Sequence, residues 1–270
     1  MVEKSSNGKF IQKYYFNDKY LDSLDSPDKF WLLGIIASDG CISKSQKYIT
    51  LVQKEIGILK KVCELIDLDY PIKQSSEYKN SIYYFLYIPS VYFISRLNSY
   101  GITVDKTFDL QIKHIPFRNI KDVYNFLCGF FVGDGGVYVK SNTQGYQHLV
   151  LEFVMTPLCL NQLFEIIPNI FYTRQLDTAN NLIDARVSGR KAIELLDKMY
   201  EGISYRGKRY KTYQNYMKDI DSKKEYHFYD VKKKRFKELF AQGVPIMEIA
   251  KIIEIPFQTL YKWRKVLGNT

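Results

Sequence analysis

The chain has 270 residues, 46% of them hydrophobic and 25% charged, which is ordinary for a globular protein of one large or two to three small domains and excludes a disordered or fibrous one. Lys and Arg number 39 against 29 Asp and Glu, a net charge of +10, and residues 221–270 carry half of that excess, with 11 basic and 6 acidic side chains. The four cysteines form no C-x-x-C pair, no apolar run reaches the ~18 residues of a membrane span, and MVEKSSNGKF has no signal-peptide core, so a zinc ribbon, a disulfide scaffold and a membrane role are not expected.

Residues 1–28 read as an ordered lead-in. A helix is expected next, Phe30-Trp-Leu-Leu-Gly-Ile-Ile-Ala-Ser-Asp39-Gly40. Two strands follow, Cys41–Ser43 and Tyr48–Gln53, the second alternating apolar with polar residues. Then come a helix over Ile56–Ile66, strands Ile72–Tyr78 and Ile82–Ile88 around a Lys79-Asn80 turn, and a helix over Ser90–Tyr100. Residues 101–120 read as a link. The same order then returns: a helix ending Phe126-Leu-Cys-Gly-Phe-Phe-Val-Gly-Asp134-Gly135, strands Val137–Lys140 and His148–Met155, a helix over Pro157–Ile167, strands Ile170–Leu176 and Leu182–Val187, and a helix with Ser188 as its N-cap. The expected fold class is therefore α+β: two pseudo-symmetric αββαββα halves, 29–115 and 116–220, each with an antiparallel sheet.

A third pattern fills 221–270. Val231–Ala241 is a helical run that Gly243 stops. Pro245–Ile253 carries Ile246, Ile249, Ala250 and Ile253 at helical spacing, Ile255-Pro256 breaks the chain, and Phe257–Leu267 forms the last helix. Three short helices with a tight final turn match a helix-turn-helix DNA-binding domain. Its recognition helix would offer Gln258, Thr259, Tyr261, Lys262 and Arg264, with Leu260 and Trp263 in the core, while Lys232, Lys233, Lys234 and Arg235 would meet phosphate. The clustered basic charge fits a nucleic-acid partner.

Glycine inside a helix costs about 0.5–1 kcal/mol relative to alanine and needs a reason. Gly34 and Ser38 share one helix face, as do Gly129 and Gly133. Small residues on facing sides let two helices meet backbone to backbone, which would bring Asp39 and Asp134 together. Paired carboxylates repel unless a proton or a cation lies between them, and oxygen ligands favour Mg²⁺ or Ca²⁺. That donor set suits phosphodiester hydrolysis.

With these motifs the sequence resembles the LAGLIDADG homing endonucleases in their monomeric, two-motif form. The motif falls on Leu32–Gly40 and Leu127–Gly135, with Asp39 and Asp134 at its acidic position and Ala37 and Val132 where the name-giving sequence has its other Asp. Tyr20–Lys29 also resembles the lead-in of phage and bacterial members. The resemblance spans roughly residues 20–210. It implies a saddle of two sheets over a long pseudo-symmetric double-stranded DNA target, cut to leave short 3′ overhangs. It implies Mg²⁺ bound by Asp39, Asp134 and the backbone carbonyls of Ser38 and Gly133, with Ca²⁺ binding but not supporting cleavage. It also implies a water-positioning Gln53 and catalytic lysines Lys106 and Lys208, the latter with Arg209 and Lys211 as rivals. Met155 falls where the second half should carry its Gln. Strand parity puts Tyr48, Thr50 and Val52 on the DNA side, with Ser43, Ser45 and Lys47. The second half offers Tyr138, Lys140, Asn142, His148, Val150 and Glu152, joined by Arg174 and Arg186. The expected home is the cytoplasm of a bacterium or phage host, or an organelle. Two other readings share the domain order: a non-cleaving transcription regulator, and a maturase whose partner is intron RNA.

Overall fold

The structure, a computed structural model, describes residues 2–4, 10–12, 14–75, 81–104, 106–141, 147–168, 170–177, 182–223 and 225–267. A short hairpin of β1 (Val2–Lys4) and β2 (Phe10–Gln12) precedes the first half. Helix α1 (Pro27–Asp39) starts where proline suits a first turn, with Asp28 favouring the positive end of the helix dipole. Strands β3 (Gly40–Ile42) and β4 (Ile49–Gln53), helix α2 (Ile56–Leu65), strands β5 (Lys73–Gln74) and β6 (Tyr84–Ile88) and helix α3 (Val91–Ser99) complete it. The expected strand over Ile72–Tyr78 is short, and its Lys79-Asn80 turn lies outside the described residues. Ser90 caps α3, its hydroxyl accepting from Phe93 N at 3.0 Å.

The second half repeats this order: α5 (Ile120–Asp134), β7 (Gly135–Ser141), β8 (Gln147–Met155), α6 (Pro157–Ile166), β9 (Tyr172–Asp177), β10 (Leu182–Ser188) and α7 (Arg190–Tyr200). The sheets are antiparallel, four-stranded and alike in topology, β3-β4-β6-β5 and β7-β8-β10-β9. One expected cap is different. Ser188 ends β10, and Gly189 at φ 63° begins α7 without a side-chain cap, because only glycine takes that turn readily. The link between the halves is not a plain connection. It holds a one-turn helix, α4 (Lys106–Asp109), and a 3₁₀ turn at Ile112–His114.

Helices α1 and α5 are mostly apolar and covered, with Asp122 and Asn125 as buried polar members of α5. Phe30–Ala37 and Asp122–Val132 are buried without a break, as expected for a central helix pair. Asn119 caps α5, accepting from Lys121 N at 2.8 Å and Asp122 N at 3.3 Å. The sheets close over this pair with Ile42, Ile49, Leu51, Leu86 and Ile88 from one half and Leu149, Leu151, Phe153, Ala185 and Val187 from the other.

The chain divides into two compact units, Met1–Tyr213 and Gln214–Thr270, and helix α8 (Lys208–Lys223) spans the division. The second unit has α9 (Glu225–Ala241), α10 (Ile246–Ile253) and α11 (Phe257–Leu267). Phe236, Leu239, Ile249, Ile253, Ile255 and Leu260 form its core, with Trp263 packed against them. Gly243 (φ 76°) ends α9, and Glu254 (φ 51°) closes α10 before Pro256. Among the described residues, no helix is long and apolar enough to cross a membrane.

Candidate active site at the helix crossing

The glycines make the crossing. A Cβ on Gly34 would lie 2.1 Å from Phe126 O, and one on Gly129 would lie 1.9 Å from Trp31 O. No side chain fits there, so the two backbones touch. One turn further on, a Cβ at Gly133 would lie 1.9 Å from Ser38 Oγ and 2.6 Å from Asp39 Oδ2. The last turn of α5 is therefore in direct contact with the carboxylate of α1. Asp39 and Asp134 end the two helices side by side, Asp39 half-buried and Asp134 more open.

Burial and the neighbouring Asp134 carboxylate push Asp39 up to about 6, against the opposing pull of Gln53, Lys106 and Arg209. Burial also raises Asp134, while Lys106 and Arg209 act to lower it. Crowded, partly desolvated carboxylates of this kind favour a proton or a cation.

Each helix end is held by one basic side chain. Lys106, buried, donates from Nζ to Ala37 O at 2.7 Å and Ser38 O at 2.6 Å. Burial lowers its pKa, and Asp134 and Asp39 oppose that shift. The matching carbonyls of the second helix belong to Val132 and Gly133. Arg209 donates to both, with Nη2 2.9 Å from Gly133 O, and its Nε reaches Gly135 O at 2.9 Å. The counterpart of Lys106 in position is thus Arg209, not Lys208. Lys208 is exposed, and its backbone N–H meets Glu55 at 3.2 Å. The reason is helix phase: the two residues are adjacent in α8, and the first turn aims only one of them at α5. Lys211 is exposed.

Gln53, at the end of β4, donates from Nε2 to Asp39 Oδ2. Met155 occupies the matching end of β8 and is buried. The two carboxylates consequently face different surroundings. Asp39 lines a cavity of about 700 Å³ with Gln53, Lys54, Lys208 and Arg209, whereas Asp134 lines one of about 200 Å³ with Lys106, Phe130, Met155, Thr156 and Cys159.

A divalent cation fits this donor set. Asp39 and Asp134 supply anionic oxygens, and the carbonyls of Ser38 and Gly133 each keep a second lone pair after bonding Lys106 and Arg209. Among the described residues, no three His, Cys, Asp or Glu side chains come together to hold a metal ion, so a cation here would rest on two carboxylates and backbone carbonyls.

One participant was not foreseen. Glu55 accepts from Tyr205 OH at 2.5 Å and from Lys208 N, so a first-half carboxylate caps the helix that carries Arg209. Its partner lies 150 positions away, and no local pattern marks such a pair.

On the first sheet Tyr48 and Val52 are exposed and Thr50 is half-buried, while Ile49 and Leu51 are buried, as the alternation requires. Ser45 and Lys47 are exposed, but the Ser43 hydroxyl accepts from Lys47 N at 3.1 Å, which closes the turn. On the second sheet Lys140 is exposed, Tyr138 and His148 are half-buried, and Val150 is buried, so Val150 offers DNA nothing. Asn142 and the side chain of Arg174 lie outside the described residues. Arg186 is not free: it pairs with Asp184 and, at 3.2 Å, with Glu152.

In the second unit Gln258, Tyr261, Lys262 and Arg264 are exposed on α11, and Thr259 is half-buried. Lys233, Lys234 and Arg235 are exposed, whereas Lys232 is mostly covered and pairs with Glu254 at 3.6 Å.

No family model matches the chain, and no curated protein does. Among solved structures it is similar to the I-LtrWI LAGLIDADG homing endonuclease bound to target DNA, at 15% identity over 77% of this chain and 92% of that one, with a TM-score of 0.49. It is also similar to the LAGLIDADG meganuclease I-AabMI bound to uncleaved DNA (14% identity, 74% and 91% coverage, TM-score 0.48). A third similar structure is I-SmaMI bound to uncleaved DNA target in the presence of calcium ions (13% identity, 74% and 92% coverage, TM-score 0.48).

Proposed function

We propose that the chain is a site-specific DNA endonuclease of the homing type, acting as a monomer and cutting both strands with Asp39 and Asp134. The observation that supports this reading is the glycine-packed crossing of α1 and α5, two helices that end in Asp39 and Asp134 and lead into sheets of like topology. Each carboxylate would serve one strand, and Mg²⁺ is the cation we assign, held by Asp39, Asp134, Ser38 O and Gly133 O. Such an ion, when bound, activates water and stabilises the leaving oxygen. Gln53 fixes the orientation of Asp39 through its amide and leaves the other carboxylate oxygen for work. Lys106 and Arg209 hold the carbonyls of both helix ends and offset the local negative charge. The two outer sheet faces would lie in the major groove. The α9–α11 unit, read as a helix-turn-helix, would lengthen the DNA contact through α11 and through Lys233, Lys234 and Arg235. We expect short 3′ overhangs.

The test is cleavage of a randomised duplex library with Mg²⁺, with sequencing of the ends. Specific double-strand breaks, lost in EDTA and in Asp39→Asn or Asp134→Asn, are the expected result. Sequence-specific retention of DNA by the intact chain without cuts would replace this reading with that of a transcription regulator. Binding and splicing of intron RNA without DNA cutting would replace it with that of a maturase.

A further inference from the structure

The two sheets are alike in topology and unlike in outer chemistry. None of β3, β4, β5 and β6 contains an Asp or Glu. Their outer face carries Cys41, Thr50, Val52, Phe85 and Tyr87, with Tyr48 at its edge and the exposed Lys73 opposite Phe85, its Nζ 5.4 Å from the Tyr87 ring. Thr50 pairs across to Tyr87 and Val52 to Phe85, so the apolar groups form a continuous patch. Tyr48 is 42% and Val52 36% exposed, although both are side chains that an ordinary surface tends to cover. The ring of Tyr48 lies 6.1 Å from that of Tyr87.

The outer face of the second sheet holds an internally bonded charged cluster, with Tyr172, 53% exposed, opposite Arg186. Asp184 is only 2% exposed and holds Arg186 from below, while Arg186 and Glu152 are 22% and 32% exposed. Arg186 and Glu152 stand directly opposite each other on β10 and β8 and are 3.2 Å apart. Tyr138 donates to Glu152 at 3.3 Å. Gly136, facing Glu152 from β7, leaves room for that side chain: a Cβ there would lie 3.0 Å from Glu152 Cγ. Among the described residues two carboxylates surround this guanidinium, which makes the cluster a poor place for phosphate. A guanidinium beside a carboxylate instead presents the complement of the acceptors and donor that a G·C pair shows in the major groove. Arg donates to guanine O6 and N7, and Glu accepts from cytosine N4. A patch of exposed methyl and ring carbons suits the C5-methyl of thymine.

Building on the endonuclease reading, we propose that the two halves read half-sites of unlike composition. The first sheet selects thymine-bearing pairs by apolar contact. Arg186 and Glu152 on the second select one G·C pair. Gly136, which faces Glu152, stands two residues beyond Asp134, so this pair lies close to the cut and not at the end of the site.

The experiment selects duplexes from a randomised library with the full-length chain carrying Asp39→Asn and Asp134→Asn, so that bound DNA stays intact. Expected is a site with thymines concentrated in one half and a single strong G·C pair near the centre of the other. In this background Glu152→Gln, which keeps the size of the side chain, should relax the cytosine and shift preference toward adenine. Arg186→Ala should cut discrimination for that guanine by about 5- to 100-fold and leave the thymine-rich half unchanged. Val52→Ser should weaken only the thymine preference. Two results would overturn the assignment. One is an equal loss of affinity for all sequences with Arg186→Ala, with a salt slope lower by about one, as for a phosphate contact. The other is a selected site whose halves match in composition. If the parent chain enriches no sequence at all, the endonuclease reading fails first, and this assignment with it.

Discussion

A methyl group at Gly129 should force the two central helices apart. The added Cβ would meet Trp31 O at 1.9 Å, Trp31 C at 2.8 Å and Ile35 N at 2.9 Å, all backbone atoms with no rotamer to give way. Ordinary contact begins near 3.5 Å, so the crossing must open by roughly 1.5 Å. Overpacking of this kind costs about 1–3 kcal/mol or more, and the better helix propensity of alanine returns only ~0.5–1 kcal/mol. The net loss for Gly129→Ala is therefore about 2 kcal/mol, or a fall in Tm of about 4–8 °C for a domain of this size. Gly57, in α2, is the control: its nearest neighbour to an added Cβ is Tyr205 OH at 3.6 Å. Gly57→Ala should be neutral or gain ~0.5 kcal/mol. Thermal and urea unfolding of both variants checks the sign. If Gly129→Ala melts with or above the parent, the helices are not in backbone contact, and the argument that places Asp39 beside Asp134 falls with it. Opening the crossing also separates the carboxylates, so cleavage should fall further than stability alone explains.

Asp39 offers a second test, through pH. Its folded pKa of about 6 exceeds the ordinary 3.8, so between those values the folded chain holds a proton that the unfolded chain has released. Its contribution to stability is present in acid and is lost as pH rises through 6. Asp39→Asn should flatten the melting profile between pH 4 and 6 and stabilise the chain at pH 7–8 by roughly 2 kcal/mol, while abolishing cutting. An unchanged pH profile would show that Asp39 is neither desolvated nor crowded by Asp134 as the raised pKa requires. Arg209→Ala should reduce cleavage by about 100-fold, whereas Lys208→Ala should change it by less than about 3-fold, measured on a plasmid carrying the selected site. The reverse order would give the role to Lys208, which lines the same cavity as Asp39. In salt titrations of DNA affinity, Lys234→Ala should lower the slope by about one and Lys232→Ala should not, because Lys232 is mostly covered and paired with Glu254. Equal slopes for the two variants would count against the assigned contact face of the α9–α11 unit.

The helix crossing was legible in the sequence because glycine spacing and helix period together state which faces must meet. The two sheets were legible through alternation, which put Ile49 and Leu51 inside and Tyr48 and Val52 outside. Alternation fails at Val150, 2% exposed on the face expected to meet DNA, because parity assigns a face but not how deeply a neighbour covers it. The choice between Lys208 and Arg209 depends on the phase of α8 at its first turn, which adjacent basic residues do not reveal. Glu55 and Asp184 act through partners supplied by tertiary packing, and their sequence surroundings look like any other carboxylate's. The cap of α7 was misplaced by one residue, since a serine beside a glycine gives the stronger local signal even where the positive φ belongs to the glycine.

The repeat also bears on how such a chain can change. A homodimer built from one αββαββα unit would have to place the same side chain at both matched positions, and its ligand would have to be palindromic. Joining the halves through the α4 segment removes that constraint. Gln53 can face one carboxylate while Met155 faces the other, and an apolar sheet can sit beside a charged one. The touching backbones at Gly34 and Gly129 hold the two copies to a common geometry. Drift is therefore expected to be free on the sheet surfaces and nearly forbidden along the helix seam.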